Sequence, residues 1–277
     1  MKQIANDPFY RICDSEIIIE GLQKEYVFMH ISDLHMNVCD ELADEIETEE
    51  GKQSEKTWLE LREYFANSFG EPFEEVHKIP SEEAVDKMLA LAEELKPEVL
   101  LLSGDILNFT NGGSVRSLRK KLAAYSGKHM FVPGNHDSAK WTRLVSDGAQ
   151  VIDFGEFMIV GIDNSERTIN DIQLAELKAL CALGKPIIML QHIPIMTEVN
   201  REYLTGFGEY FSIDINGEDA NGAELAKIEA EEPRIKAILC GHIHGHRELG
   251  ISEGKRQISA SSGLVGFVHR VTVRGAR

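Results

Sequence analysis

Residues 240–246 read CGHIHGH and set three imidazoles at alternate positions, His242, His244 and His246. Side chains two apart share one face of an extended strand, so the trio is readable as three ligands of one ion. It is equally readable as the tail of a site whose other parts lie far off in sequence, or as a polar loop. Other chemistry-bearing residues fall in short clusters: Asp33 and His35 in SDLH, Asp105 in SGD, Asn135, His136 and Asp137 in PGNHD, and His192 in QH. Taken singly these are weak, since a Gly-Asp pair is usually a turn and a lone histidine after a strand is usually a satisfied core residue. Taken together they offer carboxylate, imidazole and amide oxygen, a donor set for Mn, Fe or Zn, without the thiolate cluster of a structural zinc site. A carboxylate can bridge two such ions. Two metals ~3.5–4 Å apart can clamp the attacking and leaving oxygens of an in-line phosphoryl displacement.

Each cluster follows an apolar run. EYVFMHI (25–31) leads into SDLH, EVLLL (98–102) into SGD, HMFV (129–132) into PGNHD, PIIML (186–190) into QH and IKAIL (235–239) into CGHIH. Runs this rich in Val, Ile and Leu predict buried strands. Helices are predicted between them. Residues 81–95 place Val85, Met88, Leu89, Ala92 and Leu95 on one stripe behind Ser81 as N-cap. Residues 114–127 carry Val115, Leu118, Leu122 and Tyr125 and stop at Gly127, and residues 171–184 stop at Gly184. With a hairpin over 151–163 and two late strands, RQISAS and FVHRVTV, the order is that of an α/β protein with two sheets. Ligand sites in open α/β folds lie past the carboxyl ends of strands, which is a reason to read the five clusters as one site.

Residues 37–80 break this rhythm. DELADEIETEE (40–50) holds seven acids, and residues 57–70 form an amphipathic helix with Trp58, Leu61, Phe65 and Phe69 inward and Thr57 and Glu60 as a capping box. The segment reads as an insertion in a single domain spanning 1–277, either a lid or wall beside the site or a solvated surface excursion.

The order DxH, GD, GNHD, H, GHxH over residues 31–246 resembles the calcineurin-like metallophosphoesterase family. The resemblance implies a four-layer α-β-β-α sandwich of two mixed sheets. It implies that Asp33, His35 and His244 hold one metal, that Asn135, His192 and His242 hold the other, and that Asp105 bridges. The expected nucleophile is the metal-bridging hydroxide, with His136 as general acid and Asp137 fixing the His136 ring. His246 has no place in this scheme and is expected at the rim. Protein phosphatases of the superfamily carry Asp-Arg after the GD motif and GNHE in place of GNHD. Here GDILNFTNGG has no such arginine and Asp137 replaces the glutamate, so SDLHM looks more like the branches acting on small phosphomono- or phosphodiesters.

Composition narrows the partners. The 277-residue chain has 29 Lys+Arg against 46 Asp+Glu, a net charge of −17, the opposite of the basic footprint that nucleic-acid binders need. The basic residues Arg116, Arg119, Lys120 and Lys121 lie opposite an apolar stripe, as a solvated helix face does. No apolar run reaches ~18 residues, no signal-peptide core opens the chain, and the four cysteines form no CxxC pair. A cytoplasmic phosphoesterase using two metal ions, with Mn or Fe preferred and Zn possible, is therefore expected, and membrane and nucleic-acid partners are not. A catalytically inactive scaffold on the same fold and a nuclease are the competing readings; complete ligand positions disfavour the first and charge the second. Asn108 is expected to serve its loop, Phe207 and Tyr210 to pack or to line a substrate wall, and Cys240 to act as a small buried hydrophobe, while Cys39 has no assigned role.

Overall fold

The computed structural model describes residues 6–68, 73–108, 111–137 and 147–276, apart from the side chains of Phe65 and Glu209. Strand β3 (Val99–Ser103) is buried along its whole length. Leu100 and Leu102 enter one apolar cluster while Val99 and Leu101 enter another. Strand side chains alternate between faces, so a continuous apolar run needs apolar partners on both sides. Strand β7 (Ile187–Leu190) behaves alike: Ile188 and Leu190 join Val99 and Leu101, and Ile187 and Met189 face the other way. Two sheets therefore pack back to back on a shared core.

The first sheet has the order β1 (Arg11–Ile18), β13 (Phe267–Arg274), β2 (Tyr26–Ile31), β3 and β4 (His129–Val132). Its outer face is covered by α2 (Ser81–Leu95) and α3 (Gly112–Ala124) through residues such as Val85, Met88, Leu118 and Leu122. The second has the order β11 (Arg247–Ser252), β12 (Lys255–Ser259), β10 (Ile235–Cys240), β7, β6 (Met158–Gly161) and β5 (Gln150–Asp153). It is covered by α4 (Asp171–Ala182) and α6 (Ala220–Glu231), which contribute Leu177, Leu225 and Ala226, with the short α5 (Arg201–Leu204) between them in sequence. Both sheets mix parallel and antiparallel pairs, and the expected α-β-β-α layering is what the chain forms. Strands β2, β3 and β4 run parallel side by side, as do β7 and β10. Five carboxyl ends are thereby brought to one edge of the sandwich. No helix among the described residues is long and apolar enough to cross a membrane.

Several local expectations are corrected. Strands β1 and β11 stand outside the predicted set, as do the short parallel pair β8 (Ile195–Met196) and β9 (Ile213–Asp214). Helix α1 (Glu45–Ser68) begins well before Thr57. The Glu47 N–H donates to Asp44 Oδ1 at 2.8 Å and the Asp44 N–H to Glu47 Oε2 at 3.4 Å, so this pair forms the capping box and Thr57 and Glu60 lie inside the helix. The acidic run suits that position because carboxylates are favoured in a helix's first turn. Residues 69–70 of the expected helix lie outside the described residues. Ser81 is the first helical residue of α2 rather than its cap; its N–H and Oγ both donate to the Glu55 carboxylate of α1, at 2.8 and 2.6 Å. On the α2 stripe, Ala84 and Leu91 are buried and Leu95 is exposed.

Candidate metal centre

The backbone itself marks the site. Seven described non-glycine residues have positive φ, and five of them are expected ligands: Asp33, His35, Asp105, His242 and His244, with φ between 46° and 70°. Left-handed backbone is costly for an L-residue and persists where the surroundings over-determine it. Here the strand-end turns are laced together. The N–H groups of Asp33 and His35 donate to the carbonyls of Gly104 and Asp105, the Gly241 N–H to the His192 carbonyl, and the His242 N–H to Asp33 Oδ2 at 3.1 Å. The turns approach so closely that a Cβ on Gly241 would sit 1.8 Å from Ser32 Oγ, and one on Gly134 2.2 Å from Asp105 Oδ1.

The side chains form two groups that share a border, and a third trio, His35, Asp105 and His136, lies across that border. Asp33, His35 and His244 bring one donor atom each within 4.8 Å of one another, and so do Asp105, His192 and His242. In the first group His244 Nε2 is 3.3 Å from Asp33 Oδ1 and 3.1 Å from His35 Nε2. In the second His192 Nε2 is 3.3 Å from Asp105 Oδ2 and 3.1 Å from Asn135 Oδ1. The same Asp105 oxygen lies 4.0 Å from His35 Nε2, between the groups.

This arrangement fits cations. His192 Nδ1 faces the Ser103 carbonyl at 2.8 Å and must carry its proton there. A neutral His192 then turns its Nε2 lone pair onto a carboxylate and an amide oxygen, a repulsive contact unless a proton or a metal lies between. Burial lowers the pKa of His35 and His242, the latter to about 3, which keeps both imidazoles neutral and able to bind. Burial also pulls His192 down, but the adjacent Asp105 charge pushes it up to about 9, so a proton and a cation compete for that lone pair. Asp33 is raised by burial but lowered more by His244, to about 2, and Asp105 also lies well below the usual carboxylate range. His242 Nε2 is buried without a hydrogen-bond partner. Orphaned polar atoms of this kind are costly.

His136 stands beside both groups, half-buried, with its ring 4.9 Å from that of His35. Its N–H donates to Asp105 Oδ1 at 2.8 Å, and its Nδ1 lies 3.1 Å from the Asn108 carbonyl oxygen. Asp137 does not orient this ring. Its carboxylate accepts the N–H groups of Ile106, Leu107 and Gly134 at 3.2, 2.8 and 3.0 Å, binding the β3 and β4 turns together. Burial and the Asp105 charge raise the Asp137 pKa to about 7.

Other positions divide clearly. His246 belongs to neither group and packs against buried His269, ring centroids 4.7 Å apart. Phe207 packs on Tyr203 and Phe211, whereas the rings of Phe211 and Tyr210 lie 5.1 and 6.0 Å from that of His242, and Tyr210 is exposed. Cys240 is buried in the outer core of the second sheet, and Cys39 donates to the Glu47 carbonyl of α1. Arg116 pairs with Asp40, and Lys121 with Glu82 and Asp86, so two of the four basic α3 residues already meet acids. Sequence reasoning missed Asn164, whose Oδ1 accepts the N–H groups of both His192 and Ile193 at 3.0 Å. It also missed where Trp58 lands: its indole stacks on the His35 ring at 3.8 Å and 20°. Inward periodicity signalled that Trp58 was covered, not by what.

A mixed two-sheet sandwich that gathers carboxylates, imidazoles and an amide at five parallel strand ends defines a metal-dependent phosphoesterase scaffold. The profile of the calcineurin-like phosphoesterases matches residues 26–246, and the chain belongs to that family. It is 22% identical over 197 residues to the 3′,5′-cyclic adenosine monophosphate phosphodiesterase CpdA of Escherichia coli strain K12, covering 64% of this chain and 67% of that protein. Among solved structures it shares its fold with a dimetal phosphatase from Danio rerio, at a TM-score of 0.53, 10% identity and coverage of 86% and 88% of the two chains. The protein TT1561 of Thermus thermophilus is similar at a TM-score of 0.51, 13% identity and coverage of 87% and 91%.

Proposed function

We propose that this protein hydrolyses small phosphomono- or phosphodiesters using two metal ions, one held by Asp33, His35 and His244, the other by Asn135, His192 and His242, with Asp105 shared. The observation that carries this reading is the position of Asp105 Oδ2, 3.3 Å from one group's histidine and 4.0 Å from the other's. Two cations so held would supply acidified water at neutral pH and positive charge against the phosphoryl oxygens. The chain's own residues do the rest. Ser103 and Asn164 fix the tautomer and backbone of His192. The Asn108 carbonyl faces His136 Nδ1, and the His136 imidazole gives a proton to the departing oxygen. Mn or Fe suits the mixed oxygen and nitrogen donors. The likeness to CpdA supports testing cyclic nucleotides early. Cys39, Cys181 and Cys240 form no disulfide, which supports a reducing, cytoplasmic setting.

The test is a screen of phosphomonoesters, cyclic nucleotides and nucleoside diphosphate derivatives with Mn²⁺-reconstituted protein, alongside metal analysis. Turnover of at least one class with close to two metals bound is expected. A metal-free, inert preparation would sink the reading, and a metal-loaded, inert one would favour the catalytically inactive, metal-binding scaffold.

A further inference from the structure

Segment 37–80 is not needed to complete the sandwich, yet it delivers a buried indole to the centre of the site. Trp58 lies parallel to the His35 imidazole at 3.8 Å, edge-on to His136 at 5.8 Å and 76°, and 6.4 Å from His244. Only 9% of its surface remains exposed.

The helix that carries it is anchored at several points. Arg62, fully buried, donates to the Ile79 carbonyl at 2.6 Å and lies 3.6 Å from Glu55. Glu55 in turn accepts both donors of Ser81 at the start of α2. Asn37 Nδ2 donates to the Gly51 carbonyl at 2.6 Å, and Ala66 packs with Val265 and Phe267. The Arg62 and Asn37 bonds to backbone carbonyls, the Glu55–Ser81 bonds and the packing of Ala66 make α1 a wall and not a loose flap.

The two ends of the site therefore differ. The His242 end is bordered by Tyr210, which is 55% exposed, while the His35 and His136 end is closed by the Trp58 ring. Resting on His136 as the proton donor of the phosphoesterase reading, we propose that Trp58 is a specificity-determining residue that restricts the leaving group to small alcohols. An oxygen protonated at His136 departs beside the indole edge, and a bulky substituent on it meets a ring that cannot retreat. Steric selection of this kind is commonly worth about 10–200-fold in kcat/KM.

Phenyl phosphate and 2-naphthyl phosphate test this, because their leaving groups are of similar acidity and differ by one fused ring. The wild type should prefer the phenyl ester. Trp58→Ala should move the kcat/KM ratio towards the naphthyl ester by about tenfold or more, Trp58→Phe by less, with metal content unchanged. Trp58→Leu, which keeps apolar bulk in the core, substitutes for the alanine variant if that variant does not fold. A second readout is independent of turnover. In a Trp141→Phe background Trp58 is the sole tryptophan, and paramagnetic Mn²⁺ should quench its emission while Zn²⁺ should not. A ratio unchanged within about twofold in folded, metal-loaded variants would overturn the proposal, as would emission indifferent to Mn²⁺. Wild-type protein that turned over neither ester nor any class in the substrate screen would instead remove the phosphoesterase reading on which it rests.

Discussion

His35 and His244 bring their Nε2 atoms to 3.1 Å across a buried site, reaching it from strands of different sheets. Two imidazoles so placed can share one proton or one cation, and Asp33 Oδ1 lies 3.3 Å from His244 Nε2 beside them. Replacing His244 by Ala should therefore cost about one metal equivalent by elemental analysis. The group around His192 should stay loaded, because its donors come from other residues. Chelation of the wild type should lower Tm, since a ligand bound by the native state alone stabilises it. A His244→Ala protein with undiminished metal would contradict the ligand assignment.

His136 and Asp137 are adjacent in sequence and separate in role. His136→Asn should keep its metals yet lose kcat by about 10²–10⁴, the usual worth of a positioned proton donor. Loss of metal in that variant would show that the imidazole is a ligand instead.

Asp137→Ala is expected to fail differently. It removes the acceptor of three buried N–H groups, each costing about 1–3 kcal/mol if left unsatisfied and partly relieved by relaxation. A loss of roughly 2–4 kcal/mol in urea unfolding should accompany loosened metal binding. If stability were unchanged while kcat alone collapsed, Asp137 would act on His136 after all.

Much of this was legible in the sequence for a physical reason. Strands covered on both faces are apolar on both, so β2, β3, β4, β7 and β10 announce themselves as apolar runs, and the polar residues that end them stand out. The edge strands β1 and β11 carry no such mark. Strand β1 includes Arg11, Asp14 and Glu16, and β11 includes Arg247 and Glu248, because one side of each meets solvent. Asp137 was given the wrong partner because adjacency in a chain says nothing about direction after a turn. Trp58 was read correctly as inward, but periodicity names a face and not the residue that covers it. Glu55 capping α2 from another helix has no local signature at all.

Gly241 supplies a test of the close packing between sheets. Its Cβ position is occupied by Ser32 Oγ at 1.8 Å and Asp33 Oδ2 at 2.7 Å. Gly241→Ala must displace the turn that carries His242 and His244 or the carboxylate that accepts the His242 N–H. Metal affinity should fall by at least about tenfold, as for lost groups that orient ligands. Calorimetric titration with Mn²⁺ would show it, and wild-type affinity in this variant would mean that the turns yield more easily than their hydrogen bonds imply.

Glu229 gives the protein a pH-dependent weakness away from the site. Its carboxyl is buried on α6, with Oε2 3.3 Å from Gln191 Nε2 and Oε1 unpartnered. The nearby Lys255 ammonium donates to carbonyls at the end of the helix instead. Burial pushes the pKa up from 4.5 to about 8, only partly offset by Gln191 and Lys255. The folded protein thus holds a proton that the unfolded chain releases. Its stabilising effect is complete below pH 4.5 and is lost as pH rises towards 8, by at most about 1.4 kcal/mol per pH unit. Glu229→Gln keeps the shape and has no proton to lose. Its stability advantage over the wild type in urea unfolding should be near zero at about pH 4.5 and grow to a few kcal/mol by about pH 8. A difference that stayed flat across that window would show that the carboxyl is ionised and satisfied in the folded state.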